Sequence, residues 1–208
     1  DELCLYNGFT AGRDIRSPED RGTDTRMPLG IDNFAARPIQ GRGVLVDLDR
    51  HFGRAKRDVG LADLERAMTA DGVVVEPGDI LCLHTGFADE LLKMGRQPDE
   101  RVHEMCCALD GHDEALLEWI TRSGIAAIAA DNYAVERVGP DAATALRAYL
   151  PLHVHCLFKR GVPLGELWLL TELAAWLREN GRTSFLLTAP PLRLPGAVGS
   201  PVTPVATV

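Results

Sequence analysis

Two kinds of apolar spacing alternate along this 208-residue chain. Short apolar runs, which predict buried strands, lie at 44–48, 80–83, 125–132 and 184–191. Between them, apolar residues recur every three or four positions, and this spacing predicts helices at 61–72, 88–94, 112–124 and 165–181. Strands that alternate with helices in this way predict an α/β fold with a mixed sheet and flanking helices.

Residues 1–38 do not follow this pattern. Asn-Gly, Ser-Pro, Met-Pro and Leu-Gly pairs interrupt the segment and oppose regular structure. A segment of this length is either a binding loop or lid, or an arm that wraps around its own domain or a partner subunit. No internal repeat or linker divides the remainder. We therefore predict a single domain over residues 1–208 with an irregular arm at 1–38.

Composition and charge narrow the functional class. The chain is 46% hydrophobic and 25% charged, which is ordinary for a globular protein. Its net charge of −8 argues against nucleic acid as a partner. No apolar run approaches the about 20 residues that cross a bilayer, which argues against a membrane protein. Five scattered cysteines show no metal-finger spacing, so we expect a reduced, cytoplasmic compartment.

The segment 149–179 holds the strongest candidates for chemistry. His153 and His155 precede a Gly/Pro-bearing turn, and Glu166 follows it at the start of an apolar helical run. In a strand, residues two apart share a face, so both imidazoles would point into one pocket. Zn²⁺ and Mn²⁺ accept such a mixed nitrogen and oxygen set. Alternatively, the histidines are core or rim residues and Glu166 only balances a helix dipole. That alternative leaves the histidines near Glu166 unexplained.

Other candidates each have a plain structural alternative. Asp131 ends a predicted strand, where ligands of α/β sheets bind, but it would also serve as a helix cap. His84 also ends a strand and is equally consistent with a pocket and with the sheet rim. Cys106 and Cys107 would suit a thiol nucleophile, yet no histidine partner can be assigned to them. Inert buried thiols are the simpler interpretation.

Four segments together resemble the putative cyclase family: GDILCLHTG, IAAIAADNYAVE, LPLHVHCLFKRGVPLGELWLLTELA and LTAPPLRLPGAVGSPVTPVA. They occur in this order and span nearly the whole chain. The best-known activity of this family is kynurenine formamidase (arylformamidase), an enzyme of tryptophan catabolism, and isatin hydrolase is a relative. The combination of Leu-Pro-Leu-His, the Gly-Glu pair and the proline-rich tail carries the resemblance.

The resemblance implies a divalent metal, zinc in preference to manganese, in a swivelling β/β/α fold with a barrel-like core. It implies His153 and Glu166 as metal ligands and a homo-oligomer as the assembly. The substrate would be a small amide, either an aryl formamide or a cyclic amide, whose C–N bond is hydrolysed by metal-bound hydroxide. We expect the substrate pocket to include Tyr6, Phe9, Asp131 and His155.

One family motif is absent from the sequence. The remaining ligands and the catalytic histidine of the family belong to a His-x-Gly-Thr-His-x-Asp-x-x-x-His run that stands just before a Tyr-Asn-Gly like Tyr6-Asn7-Gly8. The chain begins with Asp1 where this run would end, so we expect that an N-terminal portion is missing. The alternative is a non-catalytic binding or assembly subunit that has lost its metal site. The catalytic base remains unassigned under either reading.

Overall fold

The structure is a computed structural model, and it describes residues 8–21, 27–138 and 149–208. Two compact units can be distinguished. The smaller unit comprises residues 1–41 and 186–207, and the larger unit comprises residues 42–185 with Val208. The larger unit carries both His153 and Glu166, so the candidate chemistry lies within one compact body.

The described residues of the smaller unit are largely irregular, as the turn-rich sequence predicts. The helices among them are short, α1 (Pro18–Arg21) and α2 (Asp32–Ala36). The side-chain amide of Asn33, in the first turn of α2, donates to the carbonyl oxygens of Pro28 and Gly30 ahead of the helix at 3.0 and 2.9 Å. Such local side-chain bonds satisfy backbone groups where no ladder can form.

The sheet of the larger unit is built on parallel strands. Its strands are β1 (Gln40–Asp47), β3 (Ile80–His84), β5 (Ala127–Ala130), β6 (Leu164–Gly165) and β7 (Ser184–Thr188), in the spatial order β6-β5-β3-β1-β7. Strands β1, β3, β5 and β6 pair in parallel. Two further short strands, β2 (Arg57–Val59) and β4 (Cys107–Leu109), form a separate parallel pair. In the smaller unit, the end of β7 pairs antiparallel with β8 (Val205–Thr207).

Helices connect these strands, as the alternating spacings predict. They are α3 (Leu48–Phe52), α4 (Leu61–Asp71), α5 (Phe87–Lys93), α6 (Glu114–Ser123), α7 (Pro151–His153) and α8 (Thr171–Glu179), with a 3₁₀ turn at Glu100–His103 and a π-helix at Val154–Arg160. Helix α6 is capped by the side chain of Asp113, which accepts from the N–H groups of Ala115 and Leu116. Gly72 and Gly124 end α4 and α6 in the left-handed conformation.

The core lies between the sheet and helices α4 and α6. Every residue of β3 is buried, because β3 is flanked by β1 and β5. Leu64 of α4 and Leu116 and Ile120 of α6 pack into the same buried cluster as Leu81. No helix within the described ranges is both long enough and apolar enough to span a membrane.

The predicted α/β fold with a mixed sheet and flanking helices is confirmed. One helix boundary is wrong: the helix predicted from 165 begins at Thr171, because residues 164–165 form strand β6. The segment around His153 and His155, which we expected to be a strand, is helical. The domain bounds 1–208 stay a prediction.

Candidate metal centre

A contact between His153 and Glu166, 13 positions apart in the chain, forms the centre of the site. The Nε2 atom of His153 lies 3.1 Å from Oε1 of Glu166. His153 ends α7, and Glu166 directly follows β6. Their side chains are 20% and 35% exposed, so small ions can reach them. An imidazole nitrogen and a carboxylate oxygen therefore converge at an accessible point of the larger unit.

The edge of strand β5 sets the position of Glu166. Immediately after Glu166, the N–H of Leu167 donates to the carbonyl oxygen of Asn132 at 2.9 Å. The N–H of Trp168 donates to the carbonyl oxygen of Ala130 at 3.1 Å. Leu167 has a φ of 56°, a left-handed conformation that is rare for leucine. These sheet-like bonds replace the helical bonds that the apolar spacing predicts, and they hold Glu166 at the end of the sheet.

A second carboxylate, that of Glu136, holds the other side of the imidazole. Its Oε1 atom lies 2.7 Å from Nδ1 of His153. The side chain of Glu136 is completely buried. Sequence reasoning missed this residue because it lies in an irregular turn, 17 positions before His153, and no spacing rule connects the two. The only signal was its place at the end of the segment IAAIAADNYAVE, which carries part of the family resemblance.

The two carboxylates raise the pKa of His153 to about 9. The hydrogen bond with Glu136 is the largest cause, the bond with Glu166 is the second, and burial acts in the opposite direction. At neutral pH the imidazole therefore carries a proton on each nitrogen. A cation that binds Nε2 would displace the proton on that nitrogen. The charge of the cation would then balance the charge of Glu166.

The donor set fits part of a divalent metal site. Two ligands held about 2.0–2.1 Å from a tetrahedral ion lie roughly 3.4 Å apart, and the observed separation is 3.1 Å. Nitrogen and carboxylate oxygen suit zinc and manganese. Within the part of the chain that the structure describes, no group of three or more His, Cys, Asp or Glu side chains could hold an ion. His153 and Glu166 would supply two ligands of such a site.

Comparison with known proteins identifies the family of this chain. The model of the putative cyclase family matches residues 9–137. The chain belongs to this family. The matched range includes Glu136 and ends before His153, so the family assignment does not itself test the two proposed ligands. A search of proteins with curated functions gives no match.

Several solved structures share this fold. The crystal structure of a novel cyclase is 34% identical in sequence, with a TM-score of 0.78, and the match covers 99% of this chain and 64% of that one. Isatin hydrolase A from Labrenzia aggregata, bound to benzyl benzoate, is 13% identical with a TM-score of 0.60, covering 91% and 70% of the two chains. Isatin hydrolase A from Ralstonia solanacearum is 15% identical with a TM-score of 0.61, covering 85% and 63%. The chain thus spans less than two thirds of the novel cyclase.

The side chain of His155 points away from the candidate metal centre. Because the segment is helical, residues two positions apart point in nearly opposite directions, and His155 does not share a face with His153. Its Nε2 atom lies 2.9 Å from Oγ1 of Thr121 on α6. Burial lowers the pKa of His155. These contacts tie the π-helix to α6.

Asp131 supports the turn after β3. One carboxylate oxygen accepts from the N–H and the hydroxyl of Thr85 at 2.7 and 2.6 Å, and the other accepts from the N–H of Gly86 at 2.7 Å. Burial raises the pKa of Asp131, and these hydrogen bonds oppose the rise. Phe9 belongs to the smaller unit, and Tyr6 lies outside the described residues. The predicted roles of Tyr6, Phe9, Asp131 and His155 in the substrate pocket stay predictions.

The cysteines have the properties of core residues. Cys106 and Cys107 are buried free thiols. Burial raises the pKa of Cys106 to about 12 and that of Cys107 to about 11. Both thiols are therefore protonated at neutral pH, whereas a nucleophilic cysteine needs its thiolate. Burial and the raised pKa values therefore favour the interpretation that both thiols are inert.

A second histidine–carboxylate pair, which sequence reasoning did not connect, lies inside the sheet. Asp47 ends β1 and His84 ends β3, and the parallel register places them side by side. Their contact joins Nδ1 to Oδ1 at 2.7 Å. The other oxygen of Asp47 accepts from Arg178 of α8 at 3.1 Å. Parallel pairing of two strands that end in polar residues was the available signal.

Proposed function

We propose that the protein is a metal-dependent hydrolase that acts on the C–N bond of an aryl formamide or a cyclic amide. The observation that carries the proposal is the convergence of His153 Nε2 and Glu166 Oε1 at 3.1 Å on a cyclase-family fold. Structural neighbours support it, since they include isatin hydrolases and a potential metal-dependent hydrolase.

His153 and Glu166 would hold the ion. A divalent metal, zinc in preference to manganese, would acidify a water molecule and polarise the substrate carbonyl. The chain contributes an imidazole whose Nδ1 is already bound to Glu136, so that Nε2 remains for the ion. Glu166 supplies a negatively charged oxygen on the exposed side of the pair.

The surroundings of Glu166 suit an aromatic substrate. Leu167 and Leu169, which lie one and three positions after Glu166, are 50% and 54% exposed. Val154, next to His153, is also exposed. Exposed apolar side chains beside a polar site commonly mark a binding surface. An aryl formamide or a fused cyclic amide would place its ring on such a surface and its carbonyl at the pair.

The test measures metal content and hydrolysis together. The protein should bind a divalent metal and hydrolyse N-formylkynurenine or isatin. Variants His153→Ala and Glu166→Ala should lose metal and reduce kcat/KM by at least about a hundredfold, because ligand loss removes the ion and its chemistry. His112→Ala and Glu172→Ala alter exposed side chains of the same types and serve as matched controls. A folded protein that binds no metal would contradict the proposal.

The alternative is a non-catalytic subunit of cyclase fold that binds or assembles with another protein. It is favoured by the finding that the described residues bring only two candidate ligands together. This alternative predicts neither metal binding nor hydrolysis, with the fold intact. A homo-oligomeric state and a place in tryptophan catabolism are further proposals that rest on the family resemblance alone. A cytoplasmic location is a proposal that rests on the scattered cysteines.

A further inference from the structure

Glu136 is a buried carboxylate whose hydrogen bonds all converge on one turn of the chain. Its Oε1 atom accepts from the backbone N–H of His153 at 2.8 Å and lies 2.7 Å from Nδ1 of the same residue. Its Oε2 atom accepts from the N–H of Leu152 at 2.9 Å. A buried carboxylate needs several donors to offset its lost hydration, and this turn supplies three.

The surrounding structure fixes this carboxylate closely. Val135, directly before it, has a φ of 59°, which is unfavourable for a β-branched residue. Hydrogen bonds maintain that conformation, because the N–H of Val135 donates to Oδ1 of Asn132 at 2.7 Å and its carbonyl accepts from Leu109 at 3.0 Å. Strained backbone that is retained by its surroundings is common beside functional sites.

Gly111 leaves the space that the carboxylate occupies. A Cβ atom at this position would lie 1.9 Å from Oε2 of Glu136. Any larger residue at 111 would therefore displace the carboxylate group. The fold thus combines a strained residue at 135, a residue without a side chain at 111 and three donors at 152–153 to hold one oxygen pair in place.

We propose that Glu136 is a positioning residue that orients the imidazole of His153 for metal binding. It holds Nδ1 and the backbone of His153 together, so the ring cannot turn its Nδ1 toward Glu166. Nε2 is then the nitrogen that faces Glu166. Carboxylates that bind the far nitrogen of a metal-ligating histidine act in this way. The inference rests on the proposed function, because it assigns Glu136 a role at that metal centre.

A purely structural role is the competing explanation, since Glu136 also accepts from the backbone at the start of α7. The two roles differ in what happens at the ring nitrogen. NMR of the metal-free protein at neutral pH would detect the Nδ1–H of His153 as a proton protected from exchange with water. This signal should persist in Glu166→Gln and disappear in Glu136→Gln. A structural role alone requires no such selective loss at the ring.

Metal affinity supplies the second measurement, with Zn²⁺ alone as the probe. Glu136→Gln should bind Zn²⁺ about 10–100-fold more weakly than the unchanged protein, as is typical when such a partner is lost. Gly111→Ala, which displaces the carboxylate without removing its charge, should weaken binding in the same direction. Gly199→Ala is the matched control, because its Cβ would meet no atom within 4 Å.

The outcomes separate this inference from the proposed function. The inference is overturned if the unchanged protein lacks a protected Nδ1–H, or if folded Glu136→Gln binds Zn²⁺ as tightly as the unchanged protein. The first of these tests needs no variant, so it applies even if Glu136→Gln does not fold. Should the NMR signals change as expected while the unchanged protein binds no Zn²⁺, Glu136 still orients the ring of His153, but its role in metal binding and the metal-dependent function both fail.

Discussion

Two histidines of this protein are held by a carboxylate in the same way, yet they differ at their second nitrogen. In His153 and in His84, Nδ1 lies 2.7 Å from a carboxylate oxygen, of Glu136 and Asp47 respectively. The Nε2 atom of His153 faces Glu166 and is accessible. The Nε2 atom of His84 is buried and has no hydrogen-bond partner among the described residues.

This difference separates a site that can accept a ligand from a pair that is closed. The side chains of His84 and Asp47 are only 6% and 9% exposed, so nothing larger than a proton can reach them without local opening. Their pairing joins β1 to β3, and the bond from Arg178 joins β1 to α8. A histidine held by a carboxylate is therefore not by itself evidence of a site. Such a histidine can bind a ligand only if its second ring nitrogen, Nε2, is accessible.

The largest effect on stability should follow from breaking the closed pair. His84→Ala removes the histidine that contacts Oδ1 of the buried Asp47, and breaking a buried pair in this way typically costs about 3–5 kcal/mol of unfolding free energy. Urea denaturation would measure this loss. His103→Ala alters a histidine whose side chain is 59% exposed and should change stability by less than about 0.5 kcal/mol. Equal effects of the two substitutions would show that the buried pair is not structural.

The second prediction concerns the buried thiols, which are closed to solvent as the Asp47–His84 pair is. Cys106 lies close enough to Asp131 that the charge of the aspartate adds to burial in raising the thiol pKa. Alkylation of Cys82, Cys106, Cys107 and Cys156 at pH 8 should be at least about a hundredfold slower in the native protein than in urea, because native thiols are buried and protonated. Mass spectrometry of the labelled peptides gives the rates. Rapid native labelling of Cys106 or Cys107 would revive the cysteine-dependent alternative.

The third prediction is a pH dependence of the closed pair. Burial disfavours charged His84, but the hydrogen bond with Asp47 and the charges of Asp131, Asp47 and Asp49 together raise its pKa above the ordinary 6.5. Burial likewise opposes charge on Asp47, but His84, the N–H of Arg50 and the charge of Arg178 lower its pKa below the ordinary 3.8.

The direction in which stability changes with pH follows from these two pKa shifts. A raised histidine pKa stabilises the folded state below pH 6.5, and this contribution is lost as pH rises through the folded pKa. A lowered aspartate pKa stabilises the folded state above pH 3.8, and this contribution is lost as pH falls through the folded pKa. The difference in unfolding free energy between the unchanged protein and His84→Gln should therefore be largest between pH 3.8 and 6.5 and should decrease above that range. A difference that grows at alkaline pH would contradict the charged pair.

The prediction with the smallest expected effect tests whether His155 contacts α6 or takes part in the metal centre. Thr121→Ala removes the hydroxyl that contacts Nε2 of His155 and should cost about 1 kcal/mol of stability. Zn²⁺ affinity should not change, because this contact lies on α6 and not at Glu166. Thermal unfolding and metal titration of the same variant provide both values. Weaker Zn²⁺ binding with unchanged stability would place His155 at the metal centre after all.

Local sequence pattern determined most of the fold. The apolar runs at 44–48 and 80–83 became β1 and β3, and the three- and four-residue spacing at 61–72 and 112–124 became α4 and α6. Glycines 72 and 124 ended these helices as expected. These features depend on neighbouring residues alone, so a single sequence contains the information. The pairing of His153 with Glu166 as candidate ligands was also available, through the resemblance of their segments to one family.

Tertiary structure decided how the candidate site is arranged. Glu166 was expected in a helix, but hydrogen bonds from the next two residues to the edge of β5 placed it after a strand. His155 was expected beside His153, but the helical backbone turned it toward Thr121. Glu136 and the Asp47–His84 pair connect residues 17 and 37 positions apart, and strand register and buried turns determine those distances. Sequence pattern thus set the elements, whereas contacts between distant segments set which nitrogen of which histidine is accessible.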